Sequence, residues 1–340
     1  MSVALPAASP LPLPPDCSVR GALRVLASLV PDANLSVAGE TAFDSAPLPS
    51  EPTRTISTIL IEDGPMRARR VFEPAEPAFA AFLDGTQASR VLYSSESGVP
   101  VVHGTVAAVV RERRNTRLYT WRHVVEQRLY APRSRLASLL WTGLVGSGIE
   151  LRDTSDPDQE SSATGDHPIA LRDAAIHRLQ KDRERAETHL AAEWCEREAR
   201  PILIDGGISG SDQVASSDCA VGVVKTHRTL YAEGDALVRI LALRRAERSS
   251  VFRITSPKRT PVASWYLRLR DRSGADPMWG LVRVEIAHPD RIDEHAIGAR
   301  ADQVSRWILA EVSPIALPDS RWDKMVYGIR DCEEFLRAVM

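Results

Sequence analysis

Phe79-Ala-Ala-Phe-Leu-Asp84-Gly85 and Ile202-Leu-Ile-Asp205-Gly206-Gly207 are short hydrophobic runs that each end in an Asp-Gly pair. Such runs, bounded by Asp and Gly, read as buried strands. A carboxylate at the end of a buried strand points out of a rigid sheet into a surface groove. Two of them, distant in sequence, meet when their strands lie side by side. Between them, over roughly 169–199, runs a long charged segment with helical character and Glu187 near its middle. Asp-Gly is also a common turn former after a strand, so the order strand-Asp, helix-Glu, strand-Asp carries more information than either pair alone.

Composition bounds the rest. At 340 residues the chain holds one large domain or two modest ones. A hydrophobic fraction of 44% is ordinary for a chain that buries a core. No apolar run approaches the ~20 residues of a membrane helix, and the N-terminus lacks a basic region followed by an apolar core. Cys17, Cys195, Cys219 and Cys332 form no CxxC pair, which argues against a zinc ribbon and fits reduced thiols in a cytoplasmic protein. Net charge is only -2, so any nucleic-acid binding needs locally concentrated positive charge. Residues 111–135 carry eight arginines against Glu112 and Glu126, and residues 239–272 carry ten Arg or Lys against Glu247 and Asp271. These runs read either as solvated faces or as the walls of a phosphate-tracking groove.

Along the chain, residues 1–17 form a Pro/Ala-rich tail expected to be disordered. Residues 18–74 hold an amphipathic helix (about 18–30, with Leu23, Val25, Leu26 and Leu29 on one side), a Pro-rich linker and a strand at Thr55–Ile61. The main domain spans 75–340. Its expected strands are 78–84, 91–93, 101–110, the run ending at Asp205, 220–227, 262–270 and 279–286. Its expected helices are 117–143, 169–199, 232–249, 294–312 and 319–338. The fold class is α/β, a mixed sheet flanked by helices, with an N-terminal extension and C-terminal helices.

Several stretches together resemble the NurA nuclease family: Phe82-Leu-Asp84-Gly85-Thr86, Arg183-Glu-Arg-Ala-Glu187 with Leu190 and Trp194, and Leu203-Ile-Asp205-Gly206-Gly207-Ile208. Gly222-Val-Val-Lys225-Thr-His227, Leu281-Val-Arg-Val-Glu285 and a Pro-containing C-terminal helix also match. The resemblance covers roughly residues 75–340. It implies a ribonuclease-H-like core and metal-dependent cleavage of DNA, acting as an exonuclease on ends and an endonuclease on single strands. It further implies a homodimer working with a HerA-type hexameric ATPase in end resection, repair or phage defence. Asp84, Glu187 and Asp205 become metal ligands on this basis, with Glu187 selected by the Arg-x-x-x-Glu pattern. The family places a histidine in its last helix, five residues after a proline; here that position is Asp323, the implied fourth ligand.

Phosphodiester hydrolysis needs an activated water and stabilisation of the leaving oxygen, which two metal ions about 3.5–4 Å apart can provide. Hard Mn²⁺ or Mg²⁺ wants oxygen ligands. Asp84 is the natural bridging ligand, and Gly85 and Gly206-Gly207 leave room for a nucleic-acid backbone. Lys225 at a strand end reads as a contact to the scissile phosphate or as a solvated lysine. His227 reads as structural or surface, and Glu285 as a solvated strand edge. Trp265, Tyr266 and Trp279 suit base stacking or core packing. Arg244, Arg245, Arg248, Arg253, Lys258, Arg259, Arg268 and Arg270 are the expected DNA-binding residues. No P-loop is present, so any ATP-driven movement falls to a partner. The alternatives are a non-catalytic adaptor that docks on a translocase, or a nuclease of the same fold acting on RNA.

Overall fold

The structure is a computed structural model that describes residues 15–33, 35, 53–72, 75–155, 167–257, 259–271, 276–288, 293–312 and 326–340. In chain order the first elements are α1 (Val19–Leu29), β1 (Arg54–Thr55), β2 (Ile59–Leu60), β3 (Ala68–Arg70), β4 (Ala81–Ser94), β5 (Pro100–Arg114), β6 (Arg117–Ala131), α2 (Ser138–Gly146) and β7 (Leu151–Asp153). Then come α3 (Pro168–Arg197), β8 (Ile202–Asp205), α4 (Asp212–Ala215), β9 (Ala220–Val224), β10 (Thr229–Leu230), α5 (Gly234–Leu241) and β11 (Glu247–Ser249). β12 (Phe252–Ile254), β13 (Val262–Arg268), β14 (Leu281–Ala287), α6 (Glu294–Glu311) and α7 (Tyr327–Val339) complete the chain. The chain divides into two compact units, one of Met1–Leu48, Ala88–Thr105 and Glu126–Gln180, the other of Pro49–Gln87, Val106–Val125 and Lys181–Met340.

In the first unit, Ser18 caps α1 by accepting from Gly21 N at 3.1 Å. The helix buries Ala22 and Leu26 in an apolar cluster with Leu92, Val101, Leu129, Leu140 and Leu144. Leu23, Val25 and Leu29 pack against the same cluster. The apolar stripe of α1 is therefore spent on its own unit. β7 pairs in parallel with the end of β6, Leu129 opposite Leu151.

The second unit holds a mixed sheet whose central order is β12-β13-β14-β9-β8-β4-β5. β4, β8 and β9 are parallel to one another, while β9, β14, β13 and β12 alternate in direction. On one face, Phe82, Leu203, Val221 and Val223 share a core with Trp307 and Ile308 of α6 and with Ile329, Cys332 and Leu336 of α7. The 181–197 part of α3 passes over the other face, where a Cβ added at Gly85 would run into the Glu187 carboxylate. Gly328 lets α7 press on the Phe82 ring, which a Cβ there would overlap. Gly328→Ala should therefore lower stability by about 1–3 kcal/mol, read as a shift of the urea midpoint at constant m-value.

Several expected elements come out differently. Residues 117–131 form strand β6, not a helix. Trp121, Val124 and Val125 mimic helical spacing, but Tyr119, Thr120, Trp121, Val124 and Val125 are strand formers. The short turn at Asn115, with φ 57°, returns the chain beside β5. The expected strands 78–84 and 91–93 are one long strand, β4, so Asp84 lies inside a strand and not at its end. The helix expected over 232–249 stops at Leu241 and β11 follows. Thr55–Ile61 breaks into two short strands, β1 pairing with β10 and β2 with β12. Residues 1–14 of the tail expected over 1–17, the linker proper and the start of the last helix lie outside the described residues. Among the described residues no helix is long and apolar enough to cross a membrane.

Candidate metal centre

β4 and β8 pair in parallel with Phe82 opposite Leu203 and Leu83 opposite Ile204. One step further, Asp84 and Asp205 stand side by side. Side chains alternate across a strand, so both carboxylates fall on the face of Phe82 and Leu203, which α7 covers. From α7, Glu333 reaches the same point. One carboxylate oxygen from each of Asp84, Asp205 and Glu333 lies within 4.8 Å of the others. Asp84 is 8% exposed.

This cluster is electrostatically incomplete. Burial, and next the charge of Asp205, push Asp84 up to about 7, against the pull of Lys225 and of the Gly85 N–H. Gly85 N donates to Asp84 Oδ1 at 2.8 Å, and Lys225 Nζ donates to Asp205 Oδ2 at 2.8 Å. A hard divalent cation is the ligand such a donor set fits: three carboxylates, oxygen only, converging on one point.

Glu187 stands beside this group and not in it. It comes from α3, over Gly85, on the sheet face opposite to Asp84, and its carboxylate is paired with Arg183 one turn back. Burial raises Glu187 to about 7; Arg183 opposes the shift, and Asp84 and Asp205 add to it. The expected order of carboxylates is present, but alternation turns the two aspartates toward α7. Asp323, the implied fourth ligand, lies outside the described residues. Sequence reasoning missed Glu333. A signal was available: Glu333 lies within the buried stripe Ile329, Cys332 and Leu336 of α7, where a carboxylate needs a reason to be.

Glu285 is no solvated edge. It is 2% exposed in the middle of β14, accepts from Ile208 N at 2.8 Å and pairs with Arg283 at 2.7 Å. It thereby pins the loop that follows Asp205. His227 contacts the Leu281 carbonyl at 2.8 Å, a structural placement. Trp265 and Tyr266 are fully buried and bonded to Ser305 Oγ and Tyr231 N, so neither can stack on a base. Trp279 is half-buried.

The expected DNA-binding set also divides. Arg248, 1% exposed, donates to Glu62 at 2.8 and 3.1 Å and to the Gly298 carbonyl at 3.1 Å, and is paired with Asp302. Arg268, fully buried, donates to the carbonyls of Leu241, Leu243 and Pro277 at 2.8–3.0 Å, the first two at the C-terminal end of α5. Both are core guanidiniums, and a nucleic-acid role for them is withdrawn. Arg270 donates to the Val312 carbonyl at 2.9 Å. Arg244, Arg245 and Arg259 are exposed, Arg253 is half-buried, and Lys258 lies outside the described residues. In 111–135 much of the positive charge is likewise committed: Arg111 to Asp331, Arg113 to Glu311 and Arg122 to Glu193.

No family model matches this sequence, and no curated protein matches it. Among solved structures, the chain is similar to the NurA nuclease from Sulfolobus solfataricus, at 13% identity and a TM-score of 0.46, over 79% of this chain and 81% of that one.

Proposed function

We propose that this chain is a divalent-metal-dependent nuclease whose hydrolytic centre is formed by Asp84, Asp205 and Glu333. The observation that carries the reading is the convergence of three carboxylates from two adjacent strands and a helix, with Asp84 raised to about 7. Mg²⁺ or Mn²⁺ held there would polarise a phosphoryl oxygen and lower the pKa of a bound water. The chain's own groups do the positioning. Lys225, held against Asp205, places a positive charge where a phosphate would lie. Gly206, at φ 136°, has open space where a side chain would project, so a phosphate backbone can approach closely. Glu285 fixes the adjoining loop through Ile208 N.

The motif resemblance extends the reading to DNA as the substrate and to a HerA-type hexameric ATPase as the partner of a homodimer. The absence of a P-loop in the sequence fits that division of labour.

The test is incubation of the purified protein with end-labelled single- and double-stranded DNA and RNA, in Mn²⁺, Mg²⁺ or EDTA. Cleavage of DNA that requires the metal is expected; its absence in both metals, or its persistence in EDTA, would contradict the reading. Glu333→Gln should lose about 10²-fold or more in rate, the cost of one group stabilising the transition state. Glu334→Gln should stay close to wild type, because Glu334 is solvent-exposed and pairs with Arg330 at 3.0 Å.

A further inference from the structure

A groove of about 630 Å³ reaches the carboxylate centre at Asp205, which lines it together with Glu187. Its walls are the 181–192 face of α3, the Gly206–Ser211 loop and Arg259. Lys181, Arg185 and Arg259 line it and are exposed. Arg183 also lines it but is paired with Glu187. Besides Asp205 of the centre and Glu187, which Arg183 pairs, Glu184 is the acid that lines it. Arg185 is paired with the buried Asp182 at 3.3 Å, so beyond these pairs the outer part presents Lys181 and Arg259 against Glu184. A neighbouring groove of about 590 Å³ sets Arg253 and Arg300 against Asp218 and Asp293, so it has no cationic excess.

Two further features narrow the ligand. The volume falls within the roughly 300–1,000 Å³ of small-ligand pockets, a scale that suits a short stretch of one strand. None of the described lining residues is Phe, Tyr or Trp, so the large aromatic platform on which successive bases stack is missing from them. Gly206, Gly207 and Gly210 leave the loop side low.

We propose that this groove takes a single nucleic-acid strand by its phosphates, through Lys181 and Arg259, without reading its bases. This rests on the nuclease reading for its connection to the centre, but binding alone tests it. The expected path replaces the one drawn from residues 111–135 and 239–272, of which Arg259 is the residue retained.

The experiment is fluorescence anisotropy of the full chain with labelled single-stranded dT and dA oligonucleotides in EDTA, over a range of salt. Wild type should bind both oligonucleotides within a few-fold of each other. Lys181→Ala and Arg259→Ala should each flatten the slope of log affinity against log salt by about 0.7, and the pair by about 1.4. Arg244→Ala with Arg245→Ala, exposed but outside the groove, should leave the slope unchanged. Ser211→Glu, which adds a negative charge to the loop wall, should weaken binding without removing any basic side chain. An unchanged slope in the Lys181/Arg259 double variant would overturn the proposal. So would a strong preference for dA over dT, or equally tight binding of polyglutamate. Cleavage that fails while this binding holds would count against the nuclease reading alone.

Discussion

Asp84→Asn is expected to lose cleavage by at least about 10²–10³-fold, as when a single group stabilising the transition state is removed. The same change is expected to make the metal-free protein more stable above neutral pH. Both effects follow from one carboxylate that is misplaced without a cation. Asp84 rises from 3.8 to about 7 in the folded chain, mainly through burial and then through Asp205. Below pH ~4 both folded and unfolded chains hold the proton, and the contribution to stability is complete. Between pH ~4 and ~7 the unfolded chain has released the proton while the folded chain keeps it, so rising pH favours unfolding. The loss is complete once pH passes the folded value. At about 1.4 kcal/mol for each pKa unit, it amounts to a few kcal/mol. Asparagine is neutral at every pH and removes this slope. Thermal melts in EDTA at pH 5 and pH 8 check the point. Wild type should lose Tm on going to pH 8 and regain it with Mn²⁺; Asp84→Asn should lose less, keeping only the part owed to Glu187, and should gain little from Mn²⁺. If Asp84→Asn melts below wild type at pH 8 in EDTA, the carboxylate is a structural group and the frustrated cluster does not exist.

Arg248→Ala is expected to cost about 3–5 kcal/mol of folding stability, the scale for breaking a buried ion pair from one side. Arg248 is the hub between Glu62 and Asp302, and Glu62 also takes Arg69 at 2.9 Å and Val251 N at 2.9 Å. Removing the guanidinium strands the Glu62 carboxylate, which is held low by its bonds to Arg248 despite burial. Urea denaturation measures the loss. The folded fraction should bind single strands with wild-type salt dependence, unlike the Arg259→Ala variant. A reduced salt slope with unchanged stability would return Arg248 to the nucleic-acid face.

The parts of this site that were legible in the sequence are those fixed by local chemistry. Phe79–Gly85 and Ile202–Gly207 read as strands because apolar runs bounded by Asp-Gly have few other uses, and both lie in the central parallel part of the sheet. The charged helix between them was legible from its length and periodicity. Which face each carboxylate takes was not legible. Had β4 ended at Asp84, its side chain could have turned either way; as an interior residue it is held on the α7 side by the pleat. That placement brings in Glu333 and leaves Glu187 with Arg183. Strand β6 reads as a helix in the sequence because Trp121, Val124, Val125 and Leu129 satisfy a helical spacing that only pairing with β5 overrides. The basic runs misled for a related reason. Sequence counts charge but not its partners, and Arg248 and Arg268 are among the most buried side chains of the chain.

The most direct measurement of the central claim is anomalous diffraction from a Mn²⁺-soaked crystal of the full chain. A manganese peak ligated by oxygens of Asp84, Asp205 and Glu333, and lost in Asp84→Asn, is the predicted result. A fully soaked crystal with no peak between those three carboxylates, or with manganese bound only elsewhere, would contradict it.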